Sequence, residues 1–142
     1  MQSSVRIAPK LSDATIHVKF KLSALWAATV FCYVYGDLFG FFKQQTLSDI
    51  VSGKAGPIGT QFGLLAAALS VVVPTVMVVL SLVLTPMVSR WSNIVLGVTY
   101  TVFILVTMPG AWMYYVFFGA VEAVLTLAIV WQAWHWPKQP MT

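Results

Sequence analysis

The sequence predicts an all-α, polytopic membrane protein, a single bundle of four transmembrane helices with both termini cytoplasmic. Three observations carry this reading. Of the 142 residues, 59% are hydrophobic and 8% are charged, whereas an average soluble domain is about 25% charged. The mean hydropathy of the whole chain is +0.85. The charges also cluster between four apolar stretches, each close to the roughly 20 residues that an α-helix needs to cross a hydrocarbon core of about 30 Å.

The elements follow in order. Residues 1–20 form a polar, mixed tail containing Arg6, Lys10, Asp13 and Lys19. It has no continuous apolar core, so no cleavable signal peptide is expected before the first span. Residues 22–42 are apolar apart from Asp37 and make the first span. The segment KQQTLSDIVSGKAGPIGT (43–60) is the longest loop, with Leu47, Ile50 and Val51 spaced for one turn of an interfacial helix. Residues 61–84 carry no charge and hold Pro74 in their middle, which predicts a bent second span. Such a proline is tolerated in a membrane when neighbours satisfy the carbonyl it frees.

Residues 85–90 read as a short turn and 91–108 as the third and shortest span. Pro109 and Gly110 break the chain, and 112–136 form the fourth span, whose one charge is Glu122. Pro137 ends it. A single membrane domain, 21–137, and a tail, 138–142, complete the organisation, with no convincing internal repeat.

The net charge of +4 and pI near 9.4 do not point to nucleic acid, because the eight basic residues form no run. They carry topology instead. With four spans, Arg6, Lys10, Lys19, Lys21, Arg90 and Lys138 share one side, and Lys43 and Lys54 take the other. By the positive-inside rule both termini are cytoplasmic. Trp91, Trp112, Trp134 and Trp136 lie near span ends, where an indole suits the headgroup region. Arg90 reads as an anchor at the cytoplasmic headgroups, with an anionic lipid or a helix C-terminus as further partners.

A charged side chain within a span is costly and is a candidate functional group by default. That singles out Asp37 and Glu122. At the standard rise, Asp37 lies about 7 to 8 Å and Glu122 about 15 Å below the outer ends of their helices. Tyr33 then sits near the level of Glu122, and Tyr115 near that of Asp37. The expected site is an outward-opening pocket of Tyr33, Asp37, Tyr100, Tyr115 and Glu122. It suits a small polar or cationic ligand, bound or transported. The plainer alternative is that both acids are protonated or bonded to tyrosines and simply lock helix packing. Catalysis by the two carboxyls is a third reading, with nothing to fix its geometry.

No catalytic motif, cofactor or metal site is expected. His17 and His135 lack further ligands for a shared metal, and Cys32 is the only cysteine, so no intrachain disulfide forms. The expected partners are the lipid bilayer, other copies of the chain, or a larger membrane complex for which this protein is an accessory subunit.

The segments LSALW (22–26), YVYGDL (33–38), RWSNIVLG (90–97), YYVFFGAVEAV (114–124) and WQAWHW (131–136) together resemble a family of small, uncharacterised bacterial four-helix integral membrane proteins. The likeness covers roughly residues 19–136. It implies a bacterial inner-membrane protein of this topology and carries no activity or functional residue with it. More loosely, the chain is similar in size and layout to DoxX-like proteins, an analogy of architecture alone.

Overall fold

The apolar stretches fold as helices in a computed structural model that describes residues 15–137. The expectations for Arg6, Lys10 and Lys138 lie outside those residues. Helix α1 spans Val18–Phe41, α2 Gln44–Val51, α3 Gln61–Val83, α4 Pro86–Thr107 and α5 Met113–Trp134, with a 3-10 turn at Gly56–Gly59 before α3. No strand occurs among the described residues. The four long helices, α1, α3, α4 and α5, are each long and apolar enough to cross a membrane.

Local chemistry sets the ends of these helices. The Nδ1 of His17 accepts from the Lys19 N–H at the start of α1, and the Thr60 hydroxyl accepts from the Gly63 N–H at the start of α3. Helix α2 stops at Ser52 and is followed by Gly53 at φ +72°, the left-handed residue that commonly follows a helix end. Leu47, Ile50 and Val51 of α2 are all exposed. Gly110, at φ +76°, provides the reversal between α4 and α5 that a side chain would resist.

One element departs from the sequence reading. Residues 85–90 are not a turn: Thr85 is the N-cap of α4 and Pro86 its first residue, where a missing N–H costs nothing and the fixed φ is already helical. The third span therefore has 22 residues, as many as α5. Helix α3 runs through Pro74 without a break.

Helix α1 packs against both α3 and α5, and α4 packs against α5, while α3 and α4 touch only lightly. The starts of α1 and α4 lie beside the ends of α3 and α5. At this end the Lys19 ammonium donates to the carbonyls of Leu82 at 3.1 Å and Leu84 at 2.6 Å, and Arg90 donates to the Trp134 carbonyl at 3.3 Å. Each cation thus caps unpaired carbonyls at the negative end of a helix dipole. Arg90 has the helix C-terminal partner that the sequence offered as one of its alternatives.

The core sits in the half of the molecule nearest this end. Leu22, Trp26, Met77, Ile94, Tyr100, Ile129 and Ala133 form one buried cluster. A polar knot runs through it. The Asn93 Oδ1 accepts from Trp26 Nε1 at 2.7 Å and from the Ser81 hydroxyl at 3.2 Å, and its Nδ2 donates to the Ser89 carbonyl at 2.7 Å. Three helices are tied by one amide, and all its partners are paired, which is the condition for a polar group to be tolerated in a core. Helices α4 and α5 are joined further along by the Thr101 and Thr126 hydroxyls, 2.7 Å apart. Gly97 allows that approach, since a Cβ there would lie 2.7 Å from Val130 Cγ2.

Candidate functional site

The candidate site lies in the opposite half, between α1 and α5. Tyr33, Gly36 and Asp37 of α1 meet Tyr115, Phe118, Gly119 and Glu122 of α5, with Ile104 of α4 as a floor, around a cavity of about 20 Å³. Tyr33 and Asp37 are one turn apart on α1, and Tyr115, Gly119 and Glu122 recur at helical spacing on α5, so both rows turn toward the shared seam. Gly36 lets the helices close up there, with Phe118 carbons 3.9 Å from where a Cβ would sit.

The polar groups around the cavity are largely unpaired. Glu122 is only 6% exposed, and its carboxyl accepts no hydrogen bond among the described residues. Asp37 is exposed at the mouth and is likewise without a hydrogen-bond partner among them. The Tyr33 hydroxyl is buried with no partner among the described residues. Tyr115 is the exception: its hydroxyl bonds to the Thr107 hydroxyl at 3.1 Å. Of the two forms of the plainer reading, acids protonated or acids bonded to tyrosines, the second is not seen: no acid–tyrosine hydrogen bond occurs among the described residues. The cavity has room for about one water molecule, which needs only about 10–15 Å³ of this kind of space and two or more polar partners.

Tyr100 stands apart from this cavity. Its ring lies between Trp26 and Tyr33, at centroid distances of 5.9 and 6.1 Å. Its hydroxyl donates to the Ser70 carbonyl on α3 at 2.9 Å. Four of the five expected residues therefore share a cavity, and Tyr100 reaches it only through its contact with Tyr33.

Among the described residues, no group of three or more His, Cys, Asp or Glu side chains is placed to hold a metal. A second polar feature was not anticipated from the sequence. At the α1–α2 junction the Lys43 ammonium lies 4.7 Å from the Trp112 ring centroid and 6.0 Å from that of Tyr114. Both rings line a cleft of about 500 Å³ with Phe39 and Phe42. The available signal was that Lys43 follows the first span and Trp112 opens the last, so both fall at one height.

With the geometry established, one comparison assigns the chain to a family. Residues 10–142 match the model of a family of unknown function, DUF6326. The chain belongs to that family. DUF6326 covers nearly the whole sequence, both halves of the site included, and its description assigns no activity to any residue. It does not bear on the looser DoxX-like likeness. Nothing matches among curated proteins or among solved structures.

Proposed function

We propose that this protein is a multi-pass protein of the bacterial inner membrane that binds a small polar or cationic ligand between α1 and α5. Tyr33, Asp37, Tyr115 and Glu122 form the site, and Tyr100 supports it from behind Tyr33. The observation that carries this reading is the set of groups around one cavity that have no hydrogen-bond partner among the described residues: the buried Glu122 carboxyl, the Asp37 carboxyl at the mouth and the buried Tyr33 hydroxyl. Burying the Glu122 carboxyl and the Tyr33 hydroxyl without protein partners costs on the order of several kcal/mol between them, and a ligand with hydrogen-bond donors offsets that cost.

The cavity as folded suits a single water or an ammonium-sized group. A larger ligand requires α1 and α5 to separate, which makes this the closed state of a binding or transport cycle. The test is a binding screen on the purified chain with ammonium, organic cations and lipophilic amines, repeated with Glu122→Gln and Asp37→Asn. Binding that weakens at least tenfold in Glu122→Gln supports the site; unchanged binding in both variants removes it.

The orientation is part of the proposal. Lys19, Lys21 and Arg90 stand at one end of the long helices and Lys43 and Lys54 at the other, which favours cytoplasmic termini. Reporter fusions at Thr142 and within 53–56 test it, the first cytoplasmic and the second external.

A second reading has its own observation. Helix α3 buries only Pro74, Met77 and Ser81, and a cleft of about 310 Å³ lined by Ser70, Val73, Leu96 and Phe103 opens between α3 and α4. Another membrane helix seated there would make the chain an accessory subunit or a homo-oligomer. Purification in mild detergent as a lone monomer counts against it.

A further inference from the structure

The end of the molecule that carries Lys19 and Arg90 holds a pocket that the proposed ligand site does not use. It has a volume of about 590 Å³ and is lined by His17, Met87, Arg90, Trp91 and Trp136, among others. Among the described residues, Arg90 is the only charged side chain that lines it. One guanidinium nitrogen is committed to the Trp134 carbonyl at 3.3 Å, and the group lies 6.0 Å from the Trp134 ring centroid. Its Nε, in contrast, is buried and has no hydrogen-bond partner among the described residues.

A buried guanidinium N–H without an acceptor is an expensive omission, because a charged donor loses its hydration and gains nothing in return. No carboxylate among the described residues is placed to repair it. Asp37 and Glu122 are in the other half of the molecule, and Asp49 is on α2, beyond the far end of α1. The pocket is also amphipathic: Trp91, Met87 and Trp136 give it an apolar wall, while Arg90 gives it one cation. That pairing of a guanidinium with indole and thioether surface matches a molecule with an anionic head and an apolar tail at a membrane surface.

We infer that this pocket binds the phosphate of an anionic phospholipid headgroup, with Arg90 as the phosphate ligand and Trp91 and Trp136 flanking the glycerol and upper acyl region. A planar guanidinium holds several N–H donors in one plane, a geometry that suits two phosphate oxygens. The Lys19 and Lys21 ammonium groups at the same end add long-range attraction for an anionic leaflet.

The test uses the full chain in neutral-detergent micelles doped with equal amounts of phosphatidylglycerol and phosphatidylcholine, read by native mass spectrometry. The wild-type chain should retain phosphatidylglycerol over phosphatidylcholine on the order of fivefold, the preference one well-placed cation supplies near an anionic surface. Arg90→Gln should abolish the preference. Arg90→Lys keeps the charge yet lacks the planar set of donors, so it should lose most of the preference. Lys43→Gln, an equal charge change at the other end, should leave it intact. Equal retention of the two lipids by wild type, or an unchanged preference in both Arg90 variants, overturns the inference. Displacement of the lipid by millimolar inorganic phosphate overturns it in favour of a soluble anion.

Discussion

The Tyr100 hydroxyl donates to the Ser70 carbonyl at 2.9 Å, and Ser70 is the residue whose helical partner would be the N–H of residue 74. Residue 74 is proline and has no N–H to give. Tyr100 on α4 therefore supplies, across the molecule, the bond that α3 cannot make for itself. Tyr100→Phe should lower stability by about 1–3 kcal/mol, the cost of leaving a carbonyl unsatisfied away from water. In a Pro74→Ala background, where the alanine restores the backbone donor, the same substitution should cost clearly less. Denaturant titration of the four chains of this double-mutant cycle in detergent measures the coupling.

Asn93 is the next test. Asn93→Leu keeps the side-chain volume but strands the Trp26 indole N–H and the Ser81 hydroxyl, both of which now donate to it. A loss of about 1–3 kcal/mol per stranded group is the upper range expected. Trp26 fluorescence gives a second readout, since an indole N–H that loses its acceptor changes its emission. A variant as stable as the parent, with unchanged emission, contradicts the knot as described.

Two glycines on facing helices make a paired prediction. At Gly97 a new Cβ would lie 2.7 Å from Val130 Cγ2 and 3.3 Å from the Thr126 carbonyl oxygen, and a carbonyl in a helix cannot step aside. At Gly119 the nearest atoms are Met108 Cγ and Sδ at 3.2 and 3.3 Å, in a side chain with three rotatable bonds. Gly97→Ala should cost about 1–3 kcal/mol through overpacking, and Gly119→Ala distinctly less. Thermal melting of both variants in one detergent decides the order.

Glu122→Gln distinguishes a ligand group from a packing lock. Glu122 is buried and accepts no hydrogen bond among the described residues, so removing its capacity to ionise should leave the melting temperature unchanged or raise it. A carboxyl that held the helices together would give the opposite sign. Stability gained together with a loss of ligand binding is the familiar signature of a functional site.

How much of this was legible in the sequence differs from element to element. The four long helices were legible because apolar length is a one-dimensional property. The start of α4 was misread because Ser89 and Arg90 are polar, although Thr85 before Pro86 is a regular helix-start signal. Ser89 is polar yet fully buried, being turned to Asn93 by a helical phase that hydropathy does not register. For the site, heights along the helices brought Tyr33, Asp37, Tyr115 and Glu122 to compatible levels, since rise per residue is fixed. Tyr100 had a suitable height too. Its destination depended on which helices are neighbours, and α4 lies against α5 with its Tyr100 edge turned to α1 and α3. Adjacency of this kind leaves no periodic trace in one sequence. The same holds for Trp26, whose buried bond to Asn93 joins positions 67 residues apart.

The clasp between Lys19 and the end of α3 has a consequence for how the chain is made. Its best acceptor, the Leu84 carbonyl, lies 65 residues downstream, so during synthesis the ammonium waits for more than two further helices' worth of polypeptide. Throughout that interval it is a hydrated charge beside a newly emerged apolar segment. Only when α3 has followed does the same charge become an internal fastening. Under the proposed orientation one side chain thus serves twice in succession, first as a positive charge that helps to set the topology and afterwards as a latch joining the start of α1 to the end of α3.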